Sequence, residues 1–142
     1  MSEQPTTRPK LKAIAPFFFV SDVTRPAGYY RDVLGFGFDR LWGGDPPCFG
    51  MPRRDGLTVM LSEVADKTLI RPNRGDDGES WDAYVRVDDS DALFAEFTTR
   101  GAIVAYPPVD RDYYGNREFA VRDPDGFVIA FAHSIASGRR DA

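Results

Sequence analysis

One histidine, one cysteine and a wealth of aromatic rings set the chemistry open to this chain. His133 is the single imidazole, so a site built on two histidines is excluded, and a Ser-His-Asp arrangement has to use that one ring. It falls at the end of the last predicted strand, where it reads either as a base or as an edge histidine. Cys48 is the single cysteine, which excludes an internal disulfide. With no basic neighbour in sequence it reads as a packed thiol rather than a nucleophile. Asp82 opens a strand with Tyr84 and Arg86 on its own face. If that face lines a cleft, Asp82 is a carboxylate in an aromatic pocket, suited to a cationic or hydrogen-bond-donating ligand group. If it does not, Asp82 is a solvated strand-start residue or a partner for Arg86 or Arg117. No acid pairs with a base at a recognisable spacing, so no catalytic residue is assigned.

The rings are the other chemical resource. Phe17 and Phe19 share one face of a short strand and Phe18 takes the opposite face. Trp42 and Phe49 flank the turn Gly43-Gly44-Asp45-Pro46-Pro47, Trp81 precedes Asp82, and Tyr113-Tyr114 precedes Gly115. Rings at the mouth of a cleft give large contact area at small entropic cost and suit flat ligands. Taken singly, each is equally well explained by packing in the core or at a dimer seam.

The elements that must hold these residues repeat. The apolar strand 15–22, ending Val20-Ser21-Asp22, is matched by 82–89, ending Val87-Asp88-Asp89. A helix follows each, over 24–34 and 90–100, with Thr24 and Ser90 as N-caps. Gly35 and Gly101 close them. Short strands then occupy 36–41, 48–53 and 57–63 in the first half, and 103–106, 117–122 and 127–133 in the second. Asp123-Pro124-Asp125-Gly126 reads as a tight turn. The polar stretch 71–79 links the halves. The fold class is therefore α+β: two tandem β-α-β-β-β modules, about 11–70 and 80–136, forming a curved mixed sheet around a cleft. Residues 1–10 read as a disordered arm and 137–142 as a tail.

Composition fits a single globular domain of 142 residues, with 42% hydrophobic, 28% charged and 13% aromatic residues. A net charge of −4 leaves no basic footprint for nucleic acid. No apolar run reaches the roughly 20 residues of a membrane span, and the N-terminus lacks a signal peptide's apolar centre. A cytoplasmic location is the expectation.

Two stretches resemble a known family. Val20-Ser21-Asp22 followed by Tyr29-Tyr30-Arg31-Asp32-Val33-Leu34-Gly35-Phe36, together with the run from Tyr114 to Gly126, is similar to the vicinal oxygen chelate superfamily over about residues 11–135. That superfamily includes glyoxalase I, extradiol dioxygenases, and fosfomycin- and bleomycin-resistance proteins. The resemblance implies paired β-α-β-β-β modules. Its metal-dependent members carry four ligands, which fall here on Ala15, Asp82, Ala130 and a position near Met60. Two alanines and a thioether offer no site for a hard or borderline cation, so neither metal nor other cofactor is expected.

What the resemblance then implies is a metal-independent small-molecule binding protein, closest to the bleomycin-resistance branch. It would be a homodimer holding an aromatic or cationic ligand, with antibiotic sequestration as one outcome. The expected wall is Phe17, Phe19, Trp42, Phe49, Met60, Tyr84 and Tyr113, with Asp82 as polar anchor. The alternative is a lyase or isomerase of the same fold with an atypical or absent metal site, drawing a base from Asp82, Glu118 or His133.

Overall fold

The computed structural model describes residues 8–73 and 80–135. Most of the expected N-terminal arm, much of the linker and the C-terminal tail lie outside those residues. In chain order the elements are β1 (Phe17–Val20), α1 (Thr24–Asp32), β2 (Gly37–Trp42), β3 (Phe49–Arg54), β4 (Leu57–Thr58), β5 (Met60–Glu63), a 3-10 turn at Lys67–Leu69, β6 (Ala83–Arg86), α2 (Ser90–Thr99), β7 (Ile103–Arg111), β8 (Asn116–Arg122) and β9 (Val128–Ser134). The class is α+β and the two β-α-β-β-β modules are present. Their strands form two mixed sheets, ordered β1-β5-β3-β2, with β4 on β3, and β6-β9-β8-β7. In each, the first strand runs parallel to the last, Phe17 opposite Met60 and Tyr84 opposite Ala130, and the other pairs are antiparallel.

Local chemistry explains the boundaries. Both helices stop before a glycine in the left-handed region, Gly35 at φ 75° and Gly101 at φ 92°. The caps sit earlier than Thr24 and Ser90. Asp22 accepts from the Arg25 amide at 2.9 Å and Asp89 from the Ala92 amide at 3.0 Å. A carboxylate one or two residues outside the helix reaches the unpaired amides. β7 runs to Arg111 rather than stopping at Tyr106. Pro107 and Pro108 fall where its pairing with β8 shifts register, between Tyr106 and Val109, so their missing N–H groups break no regular ladder.

The modules meet through their helix-bearing sides in one core. Phe18 stacks on Phe127 at 4.2 Å, and Val20, Tyr30, Leu34, Phe97 and Phe119 are buried around them. Polar ties cross the same seam: Tyr30 Oη donates to Asp123 Oδ2 (3.2 Å), the Ile103 amide to Tyr29 Oη (3.0 Å), and Arg54 to Glu96 (2.8 Å). With the helix sides spent on this core, the opposite face of each sheet is left to carry chemistry.

Candidate functional site

The first sheet presents an aromatic face. Strand alternation turns Phe17 and Phe19 away from the core, with Phe18 only 5% exposed and Phe17 52% exposed. Register then sets Met60 beside Phe17, and Phe49 beside Ser62 and Trp42. The rings touch in series, Phe19 to Phe17 at 5.6 Å, Phe17 to Phe49 at 6.4 Å, and Phe49 to Trp42 at 5.5 Å. Five predicted wall residues, Phe17, Phe19, Trp42, Phe49 and Met60, thus fall together on one sheet.

The second sheet presents a polar face centred on a residue that sequence reasoning treated only as a possible base. Glu118 on β8 is fully buried. Its Oε1 accepts from Tyr84 Oη (2.8 Å) and Tyr114 Oη (2.6 Å). Its Oε2 accepts from Tyr106 Oη (2.5 Å), with Arg111 Nε at 3.4 Å. Two of the phenols accept in turn, Tyr84 from Asn116 Nδ2 (2.8 Å) and Tyr106 from Trp81 Nε1 (2.7 Å). A buried carboxylate needs such company, because an unpaired charge out of water is costly. Burial first, and then the hydrogen bond to Glu118, raise the Tyr106 and Tyr114 hydroxyls above the usual phenol range, so both keep their protons. The only sequence signal for this hub was parity: 116, 118 and 120 alternate against 117, 119 and 121, which face α2.

Ala130 and Ala132 explain how Tyr84, two strands away, reaches Glu118. They lie on the strand between, both fully buried, with Ala132 directly opposite Glu118. A larger side chain there would block the ring. The space beside Ala130 is filled by side chains: Trp81, Tyr84 and Tyr106 pack over Ala120, Val128 and Ala130.

The other expected residues are placed as follows. Asp82 accepts from the Asn73 amide and the Val128 amide, both at 2.8 Å, and so ties the linker to the start of β9. Burial raises its carboxyl, against these two bonds. Tyr113 is 74% exposed, its ring edge-on to Tyr114 at 4.7 Å. His133 Nδ1 accepts from the Ser90 amide at 2.9 Å, which turns the ring into a brace for the start of α2. Asp82, Glu118 and His133, the three possible bases, are each engaged structurally. Of the positions that the resemblance singles out, Met60 stands opposite Phe17, Ala130 stands opposite Tyr84, and Asp82 is taken up by the two amides. Among the described residues no three of His, Cys, Asp and Glu are clustered to hold one.

A cavity of about 390 Å³ lies elsewhere, at the seam between modules, floored by Phe36, Val85, Leu93, Phe97 and Phe131. None of the predicted wall residues lines it. Its rim residue Arg54 is occupied by Glu96 and the Leu34 carbonyl.

Comparison with known proteins agrees with this architecture. Residues 10–131 match the family described as Glyoxalase/Bleomycin resistance protein/Dioxygenase superfamily, and the chain belongs to that superfamily. Among solved structures it is similar to the bleomycin-binding protein of bleomycin-producing Streptomyces verticillus, complexed with copper(II)-bleomycin. That match has 26% identity and a TM-score of 0.66, and covers 87% of this chain and 97% of that one. It is similar in fold to TnmS3, an antibiotic binding protein from a Streptomyces species, at 23% identity, TM-score 0.62 and 88% and 98% coverage. A glyoxalase-related enzyme from Clostridium phytofermentans shares the fold at 15% identity, TM-score 0.70 and 91% and 99% coverage. No curated protein matches the chain. No described helix is long and apolar enough to cross a membrane.

Proposed function

We propose that this protein is a metal-independent small-molecule binding protein that sequesters a flat aromatic ligand, cationic or rich in N–H donors. The observation that carries this reading is the series of rings Phe19, Phe17, Phe49 and Trp42 on one sheet face, with Phe17 and Phe19 exposed and Phe49 and Trp42 half-buried. A protein does not leave such a face to water without cost: at about 25 cal/mol per Å², burying it against a ligand is strongly favourable. The bleomycin- and antibiotic-binding neighbours support the same class.

The ligand needs a second wall. In this reading the protein is a homodimer, and the ring face of one protomer is closed by the Tyr84 and Tyr113 face of the other. Asp82, whose oxygens hold backbone amides, gives up the anchoring role to the tyrosines around Glu118.

The test is thermal unfolding of wild type and Phe19→Ala with bleomycin and a panel of flat aromatic amines, alongside sedimentation. Binding at about 100 times Kd adds close to 2.7 kcal/mol of stability, which reads as a raised Tm in wild type and a smaller rise in Phe19→Ala. The expected mass is twice the 15.9 kDa chain. Equal shifts in both proteins, a monomer mass, or chemical turnover of a ligand would overturn the reading.

A further inference from the structure

The repeat gives the seam two matching corners, and they are filled differently. In each module the turn after the third strand meets the first strand of the other module. At one corner Phe127 stacks on Phe18 at 4.2 Å, and both rings are 5% exposed. The match of Val20-Ser21-Asp22 to Val87-Asp88-Asp89 makes Val85 the counterpart of Phe18, and Asp55-Gly56-Leu57 matches Asp125-Gly126-Phe127. Register agrees, since Leu61 stands opposite Phe18 and Phe131 opposite Val85. At the second corner, Leu57 and Val85 therefore stand where two stacked rings stand at the first. Leu57 is 49% exposed, and the cavity of about 390 Å³ that both residues line opens over Phe97 and Phe131. Those two rings meet edge to face at 5.1 Å, so the cavity has an aromatic floor.

The rim is charged unevenly. Its two guanidinium groups are engaged, Arg54 by Glu96 at 2.8 Å and by the Leu34 carbonyl, and Arg86 by Ser134 Oγ at 2.7 Å. Asp89 is spent on capping the Ala92 amide. Asp55 is exposed, 3.7 Å from Arg54 Nε. Asp88 is exposed and, among the described residues, has no partner. A carboxylate at the mouth of an apolar cavity favours a cation. We propose that this corner is a second ligand site, taking a small single-ring cation such as an aryl amidinium. Its ring fills the place that Phe127 fills at the first corner, and its charge faces Asp88 and Asp55. The site is separate from the ring face of Phe17 and Phe49 and does not depend on the binding reading above. Leu57 belongs to one module and Val85 to the other, so an occupant bridges both and strengthens the seam.

The comparison of corners also supplies the variant that closes the site. Leu57→Phe restores the ring that the first corner has. From a half-exposed position that ring enters the cavity, packs on Val85 and excludes the ligand. Asp88→Asn keeps the shape of the rim and removes its unpaired charge.

The probes are benzamidinium and benzamide, nearly identical in shape, one charged and one neutral. Amide proton–nitrogen correlation spectra follow their titration into wild type, Leu57→Phe, Asp88→Asn and Phe19→Ala. In wild type, benzamidinium should shift the amides of Val85, Val87 and Leu93 saturably. It should bind about 2- to 5-fold tighter than benzamide, the worth of an exposed ion pair. Asp88→Asn should lose most of that preference. Leu57→Phe should abolish the shifts and raise Tm. Phe19→Ala should leave them unchanged, which separates this corner from the ring face. No saturable shift at the corner amides, equal affinity for both probes in wild type, or unaltered affinity in a folded Leu57→Phe overturns the inference. So do shifts of the same amides on dilution of the ligand-free protein, which give the corner to a second copy of the chain. Should Leu57→Phe unfold, the wild-type shifts and Asp88→Asn decide. None of these outcomes removes the ring-face reading.

Discussion

At Asp123 two backbone amides and one phenol converge on a buried carboxylate. Oδ1 accepts from the amides of Asp125 and Phe127, and Oδ2 from Tyr30 Oη of the other module. Burial pushes this carboxyl up to about 7, with the Asp125 charge adding and the amide bonds opposing. The folded chain therefore holds the proton more tightly than the unfolded chain, whose carboxyl titrates near 3.8. The stabilisation is full below that unfolded value and is lost as pH rises through about 7. Asp123→Asn keeps an acceptor for both amides and never ionises. Between pH 5 and pH 8 the unfolding free energies of variant and wild type should shift in the variant's favour by roughly 2–3 kcal/mol, at about 1.4 kcal/mol per unit. Urea denaturation at the two pH values measures it, and a difference that does not move with pH would refute the assignment. Sequence reading marked Asp123 only as part of a tight turn, because its partner in α1 is 93 residues away. The same limit hid the role of Asp82, whose partners are backbone amides that carry no residue signature. It hid Glu118 too, since the register that sets Ala132 between it and the β6 edge is a property of the paired sheet. Phe17 and Phe19 were legible, because period-2 alternation acts within four residues of one strand.

At the scale of elements, the start of α2 gathers three separate devices. Asp89 caps the Ala92 amide, His133 receives the Ser90 amide, and the Ser90 hydroxyl donates to the Arg117 carbonyl at 3.1 Å. The helix is thereby fastened to both β8 and β9, the strands that carry Glu118 and Ala132. Removing the cap in Asp89→Ala should cost about 1 kcal/mol, a fall in Tm of roughly 2–6 °C for a domain of this size. Asp88→Ala, next to it and exposed, should stay within about 0.5 kcal/mol. Thermal scans of the pair check both, and equal losses would show that charge near the helix, rather than the cap bond, is what matters. The helices themselves were legible from apolar spacing and terminal glycines. Their caps were misplaced by one or two residues because Ser and Thr compete with Asp for that position on nearly equal terms, and only the geometry of the entering chain decides. The length of β7 was not legible, because two prolines in sequence signal a break, and only pairing with β8 shows that they sit at an irregularity.

At the scale of the whole molecule, the seam between modules decides whether the chain behaves as one unit or two. The repeat in the sequence is compatible with either. The seam itself argues for one: Phe18 from β1 stacks on Phe127 before β9, Tyr30 reaches Asp123, and Arg54 reaches Glu96. Neither module can bury its helix side without the other, and each four- or five-stranded half alone would expose most of that core. The two tryptophans report on this separately, since Trp42 lies in the first module and Trp81 at the start of the second. In Trp81→Phe the fluorescence of Trp42 follows the first module alone, in Trp42→Phe that of Trp81 follows the second, and far-ultraviolet dichroism follows the whole chain in both. Coincident urea transitions by fluorescence and dichroism are expected within each variant at a fixed protein concentration, as for a two-state domain. Phe18→Ala, introduced into either background, removes the stacked ring at the seam and should cost about 3–5 kcal/mol. Because the seam is shared, that loss should move both fluorescence midpoints downward together. A shift in the Trp42 transition that leaves the Trp81 transition in place would show instead that the modules fold independently and that the seam only docks them.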